Sequence, residues 1–320
     1  MPARPVDQAM NAGRPQKNTM RELWANEVEA FQEVADEQTP LFLTLSGAEG
    51  RDIDVLVGRG IIRRTETGAI DPRDQSKVVA IESSPDAELA LLSKFPGLRT
   101  YQQAFQDLIR GVGVTSFPER KIRAVCRARV VNLDLTRPLH GEVGEHGELG
   151  FPVLTWIKKL CQIHTEAPRV DWSLCLTLNA EIPWSGDVCG IVSAFLTENF
   201  VSEPRFRELT KGAIGEQAFT EISQAGSDFA HLSPEVQQRL LMVFVPKKIA
   251  QLVHGEGWLL RTQYNLAYGE EGEAPMVSFV FRLVWDPRYE STPRAVYRDS
   301  LLGALETCGT IDREGNIHLN

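Results

Sequence analysis

Apolar positions along the chain follow two periods. From Thr19 to Glu37, Leu23, Val28, Phe31 and Val34 recur at near-helical spacing until Thr39-Pro40 stops the run, which predicts a helix. Leu41 to Leu45 reads as a short strand. After the small-residue turn in LSGAEG, Asp52 to Val57 resumes helical spacing. A polar loop, RRTETGAIDPRDQSK, leads to VVAIE (Val78 to Glu82), a run that suits a strand buried on both faces. Ser84 as N-cap, Pro85 in the first helical position and Pro96-Gly97 as a stop bracket the next helix. LRTYQQAF predicts a third strand and ARVVNLDL (Ala128 to Leu135) a fourth. PVLTWIKKLCQIH is an amphipathic helix, and WSLCLTLNAE a fifth strand. Beyond Glu181, helical segments fill most of Val188 to Val253, with Ser233-Pro234 as a start signal and Pro246 predicting a kink or break. Two long strands, Trp258 to Tyr268 and Met276 to Trp285, then flank GEEGE. So short a connection requires an antiparallel hairpin.

Strands alternating with helices argue for an α/β fold: a doubly wound, mostly parallel sheet covered by helices on both faces. At 320 residues, 42% of them hydrophobic, the chain is long enough for a sizeable core. Five cysteines, Cys126, Cys161, Cys175, Cys189 and Cys308, form no CxxC pair and sit mostly in apolar runs, which suits buried thiols in a reducing, cytoplasmic setting. No apolar stretch approaches a membrane span. Residues 1–18 lack the apolar core of a signal peptide and read as a disordered tail. The six histidines show no metal-ligand spacing, and no GxSxG marks a hydrolase elbow. A net charge of -9 argues against a broadly basic surface, yet RKIRAVCRAR gathers Arg120, Lys121, Arg123, Arg127 and Arg129. On alternate positions of a strand these form either a phosphate track for nucleic acid or a charged edge that discourages sheet pairing.

Two local motifs then give the order of elements a chemistry. Ser46, Gly47, Ala48 and Gly50 at a strand's C-terminal end let a ligand approach the backbone, and the helix that follows offers amide donors. Glu82, at the tip of the neighbouring strand, can accept from both hydroxyls of a ribose. Gly50-Arg51-Asp52-Ile53 in SGAEGRDI resembles the end of the first glycine-rich motif of the Rossmann-like (class I) S-adenosylmethionine-dependent methyltransferases, and VVAIESSPDA is similar to their second-strand motif. The resemblance implies a seven-stranded sheet of order 3-2-1-4-5-7-6 with an antiparallel last strand. It implies a methyltransferase-like domain over residues 19–290, with a helical insertion around 188–233 and a C-terminal extension at 291–320. It implies S-adenosylmethionine as cofactor, held by Ser46, Gly47, Ala48, Gly50, Glu82, Ser83, Gln103 and Phe105.

Several positions depart from the family's pattern. Thr44 stands where the first strand usually carries an acid, Ser46 and Ala48 replace two glycines, and Gln103-Ala104 stand where an acid often receives the adenine amine. At the end of the fourth strand, NLDL places Asn132 and Asp134 where the family orients its methyl acceptor; the other reading has Asp134 with Thr136 capping the turn before Arg137-Pro138. Neither a [DNS]PP[YFW] motif nor a Pro-Cys nucleophile occurs there, which disfavours DNA amino- and cytosine-C5-methyltransferases. Asn179, Glu181 and Trp184 after the fifth strand are candidate substrate contacts, with Trp184 either a stacking surface or an apolar plug. Two functions remain: a methyltransferase of unassigned acceptor, nucleic acid among the classes, and a non-catalytic methyltransferase-like fold serving as a binding or assembly subunit.

Overall fold

The computed structural model describes residues 15–34, 39–110, 125–135, 152–166, 168–180, 186–226, 228–254, 256–269 and 274–320. The chain runs α1 (Pro15–Ala30), β1 (Phe42–Thr44), α2 (Arg51–Gly58), β2 (Val78–Glu82), α3 (Pro85–Lys94), β3 (Arg99–Gln102), α4 (Phe105–Arg110), β4 (Val130–Asp134), α5 (Pro152–Thr165) and β5 (Trp172–Asn179). There follow α6 (Gly186–Ser202), α7 (Pro204–Ile214), α8 (Glu216–Ala225), α9 (Pro234–Val253), β6 (Trp258–Tyr268), β7 (Met276–Trp285), α10 (Pro287–Glu290), α11 (Pro293–Glu306), β8 (Cys308–Ile311) and β9 (Ile317–Leu319). Among the described residues the strands form one mixed, mostly parallel sheet of order β3-β2-β1-β4-β5-β7-β6-β8-β9. The α/β class and the order of the first seven strands are those expected, with two strands added. Trp258–Tyr268 and Met276–Trp285 pair antiparallel over their whole length. Their hairpin is not an edge, because β8 pairs parallel with β6 and β9 antiparallel with β8.

Alternation along each strand divides the core in two. Phe42, Val78, Ala80 and Val130 face α1, α2 and α3, packing with Trp24, Ile53, Leu91 and Phe95. Their neighbours Leu43, Val79, Ile81 and Val131 face the other side, with Leu108 from α4, Ile157 from α5, Leu240 from α9 and Leu301 from α11. This is what period-2 alternation demands of a sheet buried on both faces. Ser84 caps α3 by accepting from the Ala87 amide at 3.3 Å, as its position before Pro85 predicts. All five cysteines are buried and unpaired. Among the described residues no helix is long and apolar enough to cross a membrane.

Three expectations need correction. The helix begins at Pro15 rather than Thr19, and Gln16 and Lys17 are buried, so residues 15–18 do not belong to a tail. Residues 125 and 126 are helical and β4 starts only at Val130, so Arg127 and Arg129 do not alternate on a strand. Of the kink or break expected at Pro246, the break does not occur, because α9 runs from Pro234 to Val253. Proline leaves the carbonyl four residues back without its helical donor; that carbonyl, Met242 O, instead accepts from Asn265 Nδ2 of β6 at 2.7 Å.

Candidate functional site

The ends of β1, β2 and β4 open on a crevice of about 410 Å³. It lies where the chain order reverses, β1 leading to β2 on one side and neighbouring β4 on the other, the switch point at which open α/β sheets take ligands. Ser46, Gly47 and Ala48 line one wall, and Glu82, Ser83, Gln103 and Phe105 the facing one. Asp134 and Leu135 enter from the end of β4. Of the residues expected to hold the cofactor, only Gly50 is absent from the lining.

The two turn glycines have separate reasons. Gly47 adopts φ +59° with open space where a Cβ would sit, so ligand can lie against its backbone. Gly50, at φ +55°, leaves no such space: a Cβ there would come within 2.5 Å of Leu91 Cδ1 and 2.6 Å of Phe95 Cε2. Its smallness serves the packing of α2 on α3 rather than ligand approach.

Behind the turn lies a buried polar cluster that the sequence reading did not assemble. Asp52, in the first turn of α2, accepts from Thr44 Oγ1 at 2.8 Å, Asn132 Nδ2 at 3.1 Å and Arg21 Nε at 3.2 Å. Thr44 of β1 thus donates to an acid that α2 supplies. Burial pushes the Asp52 carboxyl above the usual carboxylate range, and Asp134 adds to that while Arg21 opposes it. Asn132, expected as a catalytic candidate, is fully buried in this cluster and does not line the crevice. It positions Asp52 and Thr44 instead.

Asp134 lies on the lining with Gly47 and Glu82, and Lys17 Nζ stands 2.5 Å from its Oδ1. Burial works against the Lys17 charge; Asp134, then Tyr268, outweighs it and holds the lysine above its ordinary pKa. Lys17 and Arg21 are one helical turn apart and head the buried stripe of α1 that continues through Trp24 and Val28. That was the available signal. Buried cations require carboxylate partners, and α1 could have been read as a wall of the site. On the opposite wall Glu82 accepts from the Ser84 amide at 2.9 Å. Phe105 packs edge-to-face on Trp156, ring centroids 6.0 Å apart, and both line the crevice.

Asn179 ends β5 opposite Met276 and is not part of this lining. Glu181 and Trp184 lie outside the described residues, as do Arg120, Lys121 and Arg123. Arg127 donates to Pro168 O at 2.5 Å, and Arg129, buried, to Asp171 O at 3.3 Å. Both sit before β4, at the end of the sheet away from the crevice. Among the described residues no group of histidines, cysteines and acids could hold a metal ion. No family model, no curated protein and no solved structure matches the chain.

Proposed function

We propose that the chain binds S-adenosylmethionine in this crevice and transfers its methyl group. The observation that carries the reading is the pairing, across a switch-point crevice, of an open Gly47 turn with a carboxylate, Glu82, at the tip of the next strand. The volume, about 410 Å³, falls within the usual range of small-molecule sites, roughly 300–1,000 Å³. Ser46 Oγ is buried without a hydrogen-bond partner, which fits a polar ligand on that wall. The cofactor, when bound, supplies an electrophilic methyl group. Glu82 then accepts from the ribose hydroxyls, Phe105 and Gln103 flank the base, and Asp134 orients the acceptor. Trp156, Leu135 and Ile81 exclude water from the inner wall. If nucleic acid is the acceptor, Arg120, Lys121, Arg123, Arg127 and Arg129 are the candidates to meet its phosphates.

Lys17 favours a second reading. With an ammonium 2.5 Å away, Asp134 is already engaged, and the fold would bind its ligand without transferring the methyl group. Labelled-methyl transfer into cell extract, run on wild type and Asp134→Asn, separates the two. The methyltransferase reading expects wild-type incorporation that falls about 100- to 10,000-fold in the variant, with cofactor affinity by calorimetry little changed. Incorporation by neither protein, with binding intact, would establish the second reading. Absence of wild-type binding at millimolar ligand would remove both.

A further inference from the structure

Lys247 follows Pro246 in α9 and is only 1% exposed, among the largest fully buried side chains of the described residues. A lysine so placed is ordinarily held by a carboxylate. Lys247 has a different setting: Nζ donates to the backbone carbonyl of Phe195 in α6 and stands 3.4 Å from the centroid of the Phe195 ring. That ring packs edge-to-face on Phe244 of α9, centroids 5.7 Å apart, so one aromatic side chain both covers the amine and joins the two helices. A neutral amine fits this setting with one N–H donated. An ammonium brings three donors and a full charge. One carbonyl and a ring face offset only part of its lost hydration.

Burial lowers the Lys247 pKa from 10.5 to about 7; Glu198 opposes that shift and Lys248 adds to it. Among the described residues these two are the titratable groups that act on its charge. Glu198 is exposed and lies one turn beyond Phe195 on α6. Lys248 stands 4.7 Å from the same ring and donates to Gln251 Oε1 at 2.7 Å. From α11, Tyr297 is coupled to Glu198, and its ring lies 5.6 Å from that of His254.

We propose that Lys247 is a pH-sensitive latch between α6 and α9: the neutral amine lets α6 seat closed, and protonation drives Nζ from beneath Phe195 toward Glu198 and solvent, loosening α6. The loosened helix is the one that follows β5, and β5 runs parallel to β4, whose end enters the crevice. Because the closed arrangement disfavours the proton, opening takes one up between pH 7 and 10.5. The closed arrangement therefore gains stability as pH rises through that window, and below pH 7 the gain is absent.

Hydrogen exchange of the α6 amides, corrected for its intrinsic pH dependence, tests the latch. As pH rises above 7, wild-type protection should increase by about 10-fold per pH unit, the factor that one linked proton supplies. Lys247→Met, which keeps the length of the side chain and removes the titration, should be well protected already at pH 7 and vary little above it. A flat wild-type profile, or a rise that persists unchanged in Lys247→Met, overturns the latch. If the variant does not fold, as judged by circular dichroism, carbon NMR of Lys247 Cε in wild type decides the matter. A midpoint near 7 together with the wild-type rise supports the latch, and a midpoint near 10.5 overturns it.

Discussion

Replacing Gly50 by alanine should destabilise the fold by about 2–4 kcal/mol, since a left-handed conformation and a clash into the core act together. Gly47→Ala meets only the first of these and should cost about 1 kcal/mol. Urea unfolding of the two variants measures the difference, and equal losses would mean that Leu91 and Phe95 give way freely. A second residue-scale expectation concerns His164, stacked on Trp172 with ring centroids 4.0 Å apart. Burial, with Arg127 adding to it, lowers its pKa from 6.5 to about 3. Between those values the unfolded chain holds the extra proton, so stability present above pH 6.5 is lost progressively as pH falls toward 3. His164→Phe keeps the stack and removes the titration, and its acid-unfolding midpoint should move to lower pH. At this scale the sequence disclosed types better than tasks. Asp134 and Glu82 were legible as acids ending apolar strands, whereas the burial of Asn132 depended on Thr44 and Asp52 meeting it from elements 80 or more residues away.

Between elements, the pairing of Pro246 with Asn265 yields a double-mutant cycle. Asn265→Leu leaves Met242 O without the donor that replaces its missing helical bond and should cost about 1–3 kcal/mol. In a Pro246→Ala background the helix supplies its own amide to that carbonyl, and the same substitution should cost measurably less. Identical costs in both backgrounds would show that Asn265 acts through its other partners, Cys308 Sγ at 3.0 Å among them. Pro246 was legible as a helix breaker because local chemistry says so; the compensating side chain arrives from a strand 19 residues later, beyond the reach of any local pattern. The hairpin strands could be read because long apolar runs around a short polar loop admit one arrangement. β8 and β9, of four and three residues, carry too few positions for a period to show.

For the whole molecule, the added strands tie the far end of the sheet to the site. Gly315, in the turn between β8 and β9, accepts from Thr19 Oγ1 of α1 at 2.7 Å, and α1 carries Lys17 and Arg21. Glu27 of the same helix grips the sheet, accepting from Ser173 Oγ at 2.6 Å and Arg282 Nη2 at 2.9 Å. Gly309 has no room for a side chain, because a Cβ would strike His318 O and come within 3.1 Å of Leu319 Cα. Gly309→Ala should therefore pry β9 from β8, loosen the Thr19–Gly315 contact and speed hydrogen exchange in the first turns of α1, while amides of β4 and β5 stay protected. Unaltered exchange in α1 would show that Glu27 alone suffices to seat the helix.

That clasp between Thr19 and Gly315 has a further meaning for a chain made in one direction. Residues 15–30 leave the ribosome well before residue 315, and the helix that brings Lys17 to Asp134 lacks its final fastening until the β8–β9 turn has emerged. The central strands can assemble earlier and Glu27 can seat α1 on them, while the Thr19–Gly315 contact waits for the β8–β9 turn. An unfinished chain would hold the central sheet while α1, which carries Lys17 and Arg21, still lacks that contact.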